Sequence, residues 1–320
     1  MQIRRWQFPM LAAALWLWSA PVAAQTWAPK VLPNAAWANA TAISDSGIVV
    51  GYSLIGSRYY GFVWTGRDPW PGGDDDRYIP TLGGIDSYAW AVNRAGQIAG
   101  SASTATSVHA FLLEHRSYEP KDLGTLGGTS SDGYGINNLG QVVGGSDITG
   151  DTAYHAFLYT PGSGMTDLGT LGGSFSVARA INDAGQVVGE SKLASGQTHA
   201  FIWSAATGMT DLGTLGGDTS WARGVNGLGQ VVGASNLSQD GKVHAVRWAS
   251  GSMTDLGTLG GTESAASLST GVSSPWNVNA SIRICSAVRV VAVMTPPRQA
   301  RRPQSARRQR PPRIPVRLPG

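Results

Sequence analysis

Four of the five histidines in this chain are each followed, 11 to 13 residues later, by an aspartate: His109 and Asp122, His155 and Asp167, His199 and Asp211, His244 and Asp255. A histidine held against a carboxylate has its tautomer fixed and can serve as a general base or as half of a metal site. Four such pairs could therefore be a row of metal ligands or bases. The competing reading is a hydrogen bond between neighbouring strands, copied wherever the strands are copied. One place in the chain helps to choose. Where a further pair should stand, Tyr60 replaces the histidine and Tyr78 the aspartate, and joint loss is how a paired structural contact behaves. Zinc also wants ligands converging from non-equivalent positions, whereas these occupy equivalent ones. The pairs are read as structural, with no catalytic residue, metal or cofactor assigned.

Other candidate chemistry is weaker. The stretch Gly72 to Tyr78 holds the one dense carboxylate cluster, but Asp74, Asp75 and Asp76 are contiguous and lack the alternating spacing of a calcium loop. It reads as a solvated insertion. No G-x-S-x-G elbow occurs, and "GTLGG" lacks the lysine and helix of a phosphate loop. Trp64, Tyr159, Trp203 and Trp248 each stand four residues after the histidine position. They read as packing between repeats, with a sugar-binding surface as the alternative.

The elements that carry these residues follow from a repeat. "DLGTLGG" begins at Asp122, Asp167, Asp211 and Asp255, with "YIPTLGG" at Tyr78, so the steps are 44 or 45 residues. "GQVVG" stands at Gly140, Gly185 and Gly229, with variants at Gly47 and Gly96. A period this constant marks one supersecondary unit copied in tandem. Within the copy from His155 to Ser191, "HAFLY", "MTDLG", "VARAIN" and "QVVGES" are short, apolar or alternating runs that predict strands. "TPGSG", "TLGGSF" and "NDAG" between them predict turns. No run has helical periodicity. In "INDAGQVV", Asn182 can accept from the backbone two residues on, and Gly185 can take the positive φ of a tight bulged hairpin. The expected fold is all-β, in four-stranded repeats of about 44 residues that form β-propeller-like blades. A β-solenoid or an open sheet array is the alternative.

The string "HAFLY…MTDLGTLGG…ARAINDAGQVVGES" resembles the HAF-repeat family of bacterial extracellular proteins. The resemblance covers residues 36 to 261 and departs at Tyr60 and at Val246, where the triplet loses its histidine and its phenylalanine. It implies secretion or surface display of a tandem array, and it carries no catalytic activity with it.

The two ends differ from the array. Arg4 and Arg5 precede a short apolar run and then "PVAAQ", the pattern of a signal peptide cleaved before Gln25. The apolar run is too short to span a bilayer, so no transmembrane segment is expected after cleavage. The lone Cys285 cannot form an internal disulfide. Residues 1–261 carry 14 Lys+Arg against 19 Asp+Glu, whereas residues 262–320 carry 10 Arg against Glu263 alone. The net +4 therefore does not make the array a nucleic-acid binder. The expected organisation is a signal peptide at 1–24, a five-unit array at 25–261, and an Arg/Pro-rich disordered tail at 262–320. The tail reads as a basic arm for an anionic envelope polymer, a linker, or out-of-frame text, and the break inside a repeat favours the last. The function expected is a secreted or cell-surface, non-catalytic scaffold that binds an extracellular protein or glycan. A hydrolase or lyase of extracellular polysaccharide is the runner-up, and a truncated product without function the third reading.

Overall fold

The structure, a computed structural model, describes residues 37–65, 76–238, 241–258, 260–267 and 281–284, with backbone alone at 76–77 and 281–284. The expected signal segment, Asp74, Asp75, Cys285 and most of the Arg/Pro-rich tail lie outside the described residues.

Five four-stranded units follow one another. Unit 1 holds β1 (Trp37–Ile43), β2 (Val49–Ile55), β3 (Arg58–Trp64) and β4 (Asp76–Ile79). Unit 2 holds β5 (Ser87–Val92), β6 (Ile98–Ser103), β7 (Val108–Leu113) and β8 (Lys121–Asp122). Unit 3 holds β9 (Gly127–Ile136), β10 (Val142–Ile148), β11 (Tyr154–Thr160) and β12 (Gly164–Asp167). Unit 4 holds β13 (Gly172–Ile181), β14 (Val187–Leu193), β15 (Thr198–Ser204) and β16 (Gly208–Asp211). Unit 5 holds β17 (Gly216–Val225), β18 (Val231–Leu237), β19 (Val243–Ala249) and β20 (Ser252–Asp255). Then β21 (Ser264–Ser267) pairs with β22 (Ser281–Ile284) and takes the place of a first strand in a sixth unit. Inside every unit the strands pair antiparallel in chain order, the architecture of a propeller blade. A solenoid would stack its coils in parallel. Among the described residues parallel pairing is limited to single bridges, some between units, such as Tyr154 with Phe175 and Thr198 with Thr219, and some from a link to a second strand, such as Leu171 with Leu193.

The fold is all-β, and the four runs expected as strands are β11, β12, β13 and β14. One detail differs. "TLGGSF" was expected to be a turn, but β13 begins at Gly172 and already includes Gly173, Ser174 and Phe175. The link from one unit to the next is pulled straight because Leu171 bridges Leu193 and Gly172 pairs with the same residue.

Two glycines of "GQVVG" are needed for different reasons. Gly185 sits at φ 77° and closes the turn by donating its N–H to the Asn182 carbonyl at 3.0 Å. Gly189 lies where β13 bulges between Ala178 and Ala180, and a Cβ there would come within 1.9 Å of the Val177 carbonyl oxygen. The first needs backbone freedom, the second an empty side.

The core lies between units. Val143, Ala156 and Leu158 of unit 3 pack with Ala178, Ile181, Val187 and Phe201 of unit 4. Equivalent clusters join units 1 and 2, units 2 and 3, and units 4 and 5. Ala266 of β21 packs on Val232 and Ala245 of unit 5. One unit cannot cover its own apolar faces, so each depends on its neighbours.

Candidate functional site

Each histidine that stands second in a third strand faces the aspartate that ends the fourth. Nδ1 of His109, His155, His199 and His244 lies 2.8–2.9 Å from the nearer carboxylate oxygen of Asp122, Asp167, Asp211 and Asp255. The same aspartates accept the N–H of Gly124, Gly169, Gly213 and Gly257 at 2.7–2.8 Å. At Asp255 burial pushes the carboxyl up, but the bonds from Gly257 and His244 outweigh it and hold the group below its ordinary value. In unit 1 the rings of Tyr60 and Tyr78 meet instead, with centroids 5.8 Å apart. The four pairs sit one per unit and do not converge. Among the described residues, no three histidine, cysteine or acidic side chains come together in a way that could hold a metal ion.

Asn182 does three things at once. Its Oδ1 accepts the N–H groups of Ala184 and Gln186 at 3.1 and 2.9 Å, and its Nδ2 donates to the Asn226 carbonyl of the next unit at 2.9 Å. Asn93 reaches Asn137 and Asn137 reaches Asn182 in the same way, which gives a ladder with one rung per unit. Sequence reasoning missed a second device. Ser87, Ser131, Ser176, Ser220 and Ser264 are buried. Each hydroxyl accepts the N–H of Gly61, Ala110, Ala156, Ala200 or Ala245 in the preceding unit at 2.8–2.9 Å. Each donates in turn to a carbonyl at 2.6–2.7 Å. The available signal was a serine nine residues after every "DLGTLGG" start.

Three of the four aromatics that follow the histidine position are core-facing. Tyr159 and Trp248 are buried, Trp203 packs on the cluster between units 3 and 4, and Trp248 Nε1 donates to the Leu212 carbonyl at 2.9 Å.

A different set of residues forms a continuous belt, in which one repeat position holds Trp90, Tyr134, Arg179 and Arg223 in turn. Trp37 meets Tyr52 at 5.6 Å, Tyr52 meets Trp90 at 5.3 Å, and Trp90 meets Tyr134 at 5.9 Å between ring centroids. Tyr88 stacks on Trp90 with planes 7° apart. The Arg179 guanidinium then lies 4.8 Å over the Tyr134 ring, a cation–π contact. Arg179 donates from Nη2 and Nε to Glu190 Oε1 at 2.6 and 3.1 Å, and Arg223 Nη1 reaches Glu190 Oε2 at 3.3 Å. Tyr154 donates to Asp132 at 3.2 Å beside this row. The belt thus runs from rings in units 1 to 3 to charges in units 4 and 5. These residues come from first strands (Trp37, Tyr88, Trp90, Asp132, Tyr134, Arg179, Arg223) and second strands (Tyr52, Glu190), with Tyr154 from a third strand.

The electrostatics suit recognition better than proton transfer. Burial, reinforced by Asp132, pushes the Tyr134 phenol up to about 12, and burial with Asp86 does the same at Tyr88. These hydroxyls stay protonated and can donate. Burial lowers the proton affinity of Arg223, Glu190 opposes that, and Arg179 adds to it; the balance is downward. Burial acts the same way on Arg179, but its close contact with Glu190 outweighs it and raises the group.

No helix among the described residues is long and apolar enough to cross a membrane. No protein-family profile matches the chain, and no curated protein does. Solved structures similar to it include TolB from Acinetobacter baumannii, at 14% identity and a TM-score of 0.47, covering 66% of this chain and 52% of that one. A TolB candidate from Agrobacterium tumefaciens aligns at 13% identity and a TM-score of 0.49, over 69% of this chain and 80% of that one. A puromycin-hydrolyzing peptidase of Mycobacterium tuberculosis aligns at 12% identity and a TM-score of 0.48, over 69% and 38%. The chain thus spans about half the length of the first of these and less of the last. Identities this low transfer no activity, substrate or partner.

Proposed function

We propose that the chain is an exported, non-catalytic binding scaffold of the HAF-repeat kind, and that its ligand contacts the belt from Trp37 to Arg223. One observation carries the reading. The polar residues that recur from unit to unit bond to one another, whereas along the belt one repeat position changes from Trp90 and Tyr134 to Arg179 and Arg223, and its side chains meet across units. A residue required by the frame has to recur with the frame. A residue required by a ligand has no reason to.

His109, Asp122, His155, Asp167, His199, Asp211, His244 and Asp255, with Asn182 and Gly185, belong to the frame in this reading. The protein works outside the cytoplasm on an extracellular protein or glycan, after removal of residues 1–24, and the array ends where the Arg/Pro-rich text begins. Mass spectrometry of protein from the native host should find a mature start near Gln25, and a retained Met1 would contradict export. For the binding role, the full chain should retain envelope polysaccharide or protein in co-sedimentation. Trp90→Ala should lose that retention while the chain still unfolds cooperatively, with a melting temperature lowered only by the loss of its ring contacts and its bond to Ser101. Release of new reducing ends from extracellular polysaccharide by the purified protein would replace a scaffold with an enzyme.

A further inference from the structure

The charged end of the belt can be assigned a ligand chemistry. Glu190 is buried, with its side chain 7% exposed, and Arg179 takes one of its oxygens through two donors. Arg223 receives only a single long contact at 3.3 Å, and its side chain is 40% exposed. Among the described residues its Nε and Nη2 have no protein partner. One guanidinium fork therefore faces solvent with its charge under-compensated. A guanidinium pairs best with a planar carboxylate through two parallel N–H donors. The neighbouring Glu190 carboxylate disfavours a dianion such as phosphate at this point and tolerates a monoanion.

The surroundings specify more than an anion. Trp221 precedes Arg223 by two residues on β17, and the two stand outside the buried series Ser220, Ala222 and Gly224 although the strand bulges at Arg223. Beyond Arg179 the belt continues as Tyr134, Trp90, Tyr88 and Tyr52, each ring within 6 Å of the next. Tyr88 and Trp90 stack on each other and Arg179 covers one face of Tyr134, so the row offers a ligand its remaining apolar faces and edges, with phenol hydroxyls at the rims. A pyranose has apolar C–H faces and a rim of hydroxyls, and a row crossing several units fits a chain of them. Resting on the binding-scaffold reading, we propose that the belt takes a linear acidic polysaccharide, with aromatic rings under the sugar faces and Arg223 on the carboxylate of a uronic acid.

The test uses the full chain, short oligogalacturonate, the same oligomer with its carboxyls reduced to alcohols, and a poly-glutamate peptide, all by calorimetric titration. Wild type should bind oligogalacturonate, and carboxyl reduction or Arg223→Gln should each weaken that binding at least about tenfold, the effect of losing one good polar contact. Arg223→Lys, which keeps the charge and loses the fork, should restore only part. Trp90→Ala should weaken both oligomers. Comparing variants in the full chain separates the subsite from the arginine-rich tail, whose attraction for a polyanion is common to all of them. Unchanged binding in Arg223→Gln overturns the acidic subsite, as does failure to bind oligogalacturonate. Poly-glutamate bound as tightly as the sugar, and insensitive to Trp90→Ala, overturns the glycan. If the reduced oligomer still binds and Trp90→Ala alone abolishes it, the scaffold reading stands and only the acidic subsite falls. If Arg223→Gln lowers the melting temperature, Arg223→Lys decides, because it keeps the ion pair.

Discussion

The two sides of the first strand in each unit behave differently along the chain. On one side Ser87, Ala89 and Ala91 become Ser131, Gly133 and Gly135, then Ser176, Ala178 and Ala180, then Ser220, Ala222 and Gly224, all of them buried. On the other side Tyr88 and Trp90 become Asp132 and Tyr134, then Val177 and Arg179, then Trp221 and Arg223. The first side is small because the neighbouring unit packs against it and its backbone bonds to the serine. The second side is free of that demand. Residues there differ in size, charge and polarity from unit to unit without disturbing the hydrogen bonds that hold the units in step. The contrast separates what the fold requires from what it merely permits.

Breaking the constrained side should cost most. Gly189→Ala drives a methyl to within 1.9 Å of the Val177 carbonyl oxygen, and backbone cannot yield there without losing the β13–β14 register. A loss of about 4 kcal/mol or more in urea unfolding is expected; a near-neutral substitution would mean the bulge is not fixed. Next comes the one charged network that the belt shares with the frame. Arg179→Ala leaves buried Glu190 with only the long Arg223 contact and should cost about 3 kcal/mol. Adding Glu190→Leu should recover most of that, because a removed charge needs no partner. If the double variant were as unstable as the single, packing and not charge would be the cause.

Asn182→Ala takes the acceptor from the Ala184 and Gln186 N–H groups and one of two donors from the Asn226 carbonyl, which keeps Gly229, and should cost about 2 kcal/mol. The loss should appear as faster hydrogen exchange in units 4 and 5 before units 1 and 2. Uniform loosening of all units would argue against rungs between neighbours. The smallest effect expected is acid sensitivity at Asp255. Its folded pKa lies below the ordinary value of 3.8, so its contribution is present above that pH and is lost as pH falls through the folded value. Asp255→Asn should flatten the acid limb of the stability profile, and an unchanged limb would deny the carboxylate its role.

Much of the constrained side could be read directly from the residues. The 44-residue step, the strands around "HAFLY" and "QVVGES", and the turn at Asn182 and Gly185 each follow from local chemistry that recurs. The Ser176 series recurs just as strictly, yet a serine has no distinctive spacing partner in sequence, since its acceptor and donor come from different strands. Gly172 to Phe175 read as a turn because their residue types suit one, and what extends them is pairing with distant residues, Gly172 with Leu193 and Phe175 with Tyr154. The belt follows the same period in position but not in residue type. Its residues meet through contacts between units, and variation at one repeat position looks like drift until Trp90, Tyr134 and Arg179 are seen side by side.

The central claim is that the recurring histidines and aspartates hold the blade together and are not a row of sites. A double-mutant cycle on His199 and Asp211, read by thermal and urea unfolding, tests it most directly. The His199 side chain is 14% exposed and that of Asp211 37%, so a stranded carboxylate keeps some water and His199→Ala should cost about 1–2 kcal/mol. With Asp211→Asn added, the loss should fall short of the sum of the singles by about 1 kcal/mol, and binding at the belt should be unchanged. Additive losses, or an unaltered melting temperature accompanied by lost binding of zinc or of a glycan, would make the repeated pairs binding sites and contradict the account.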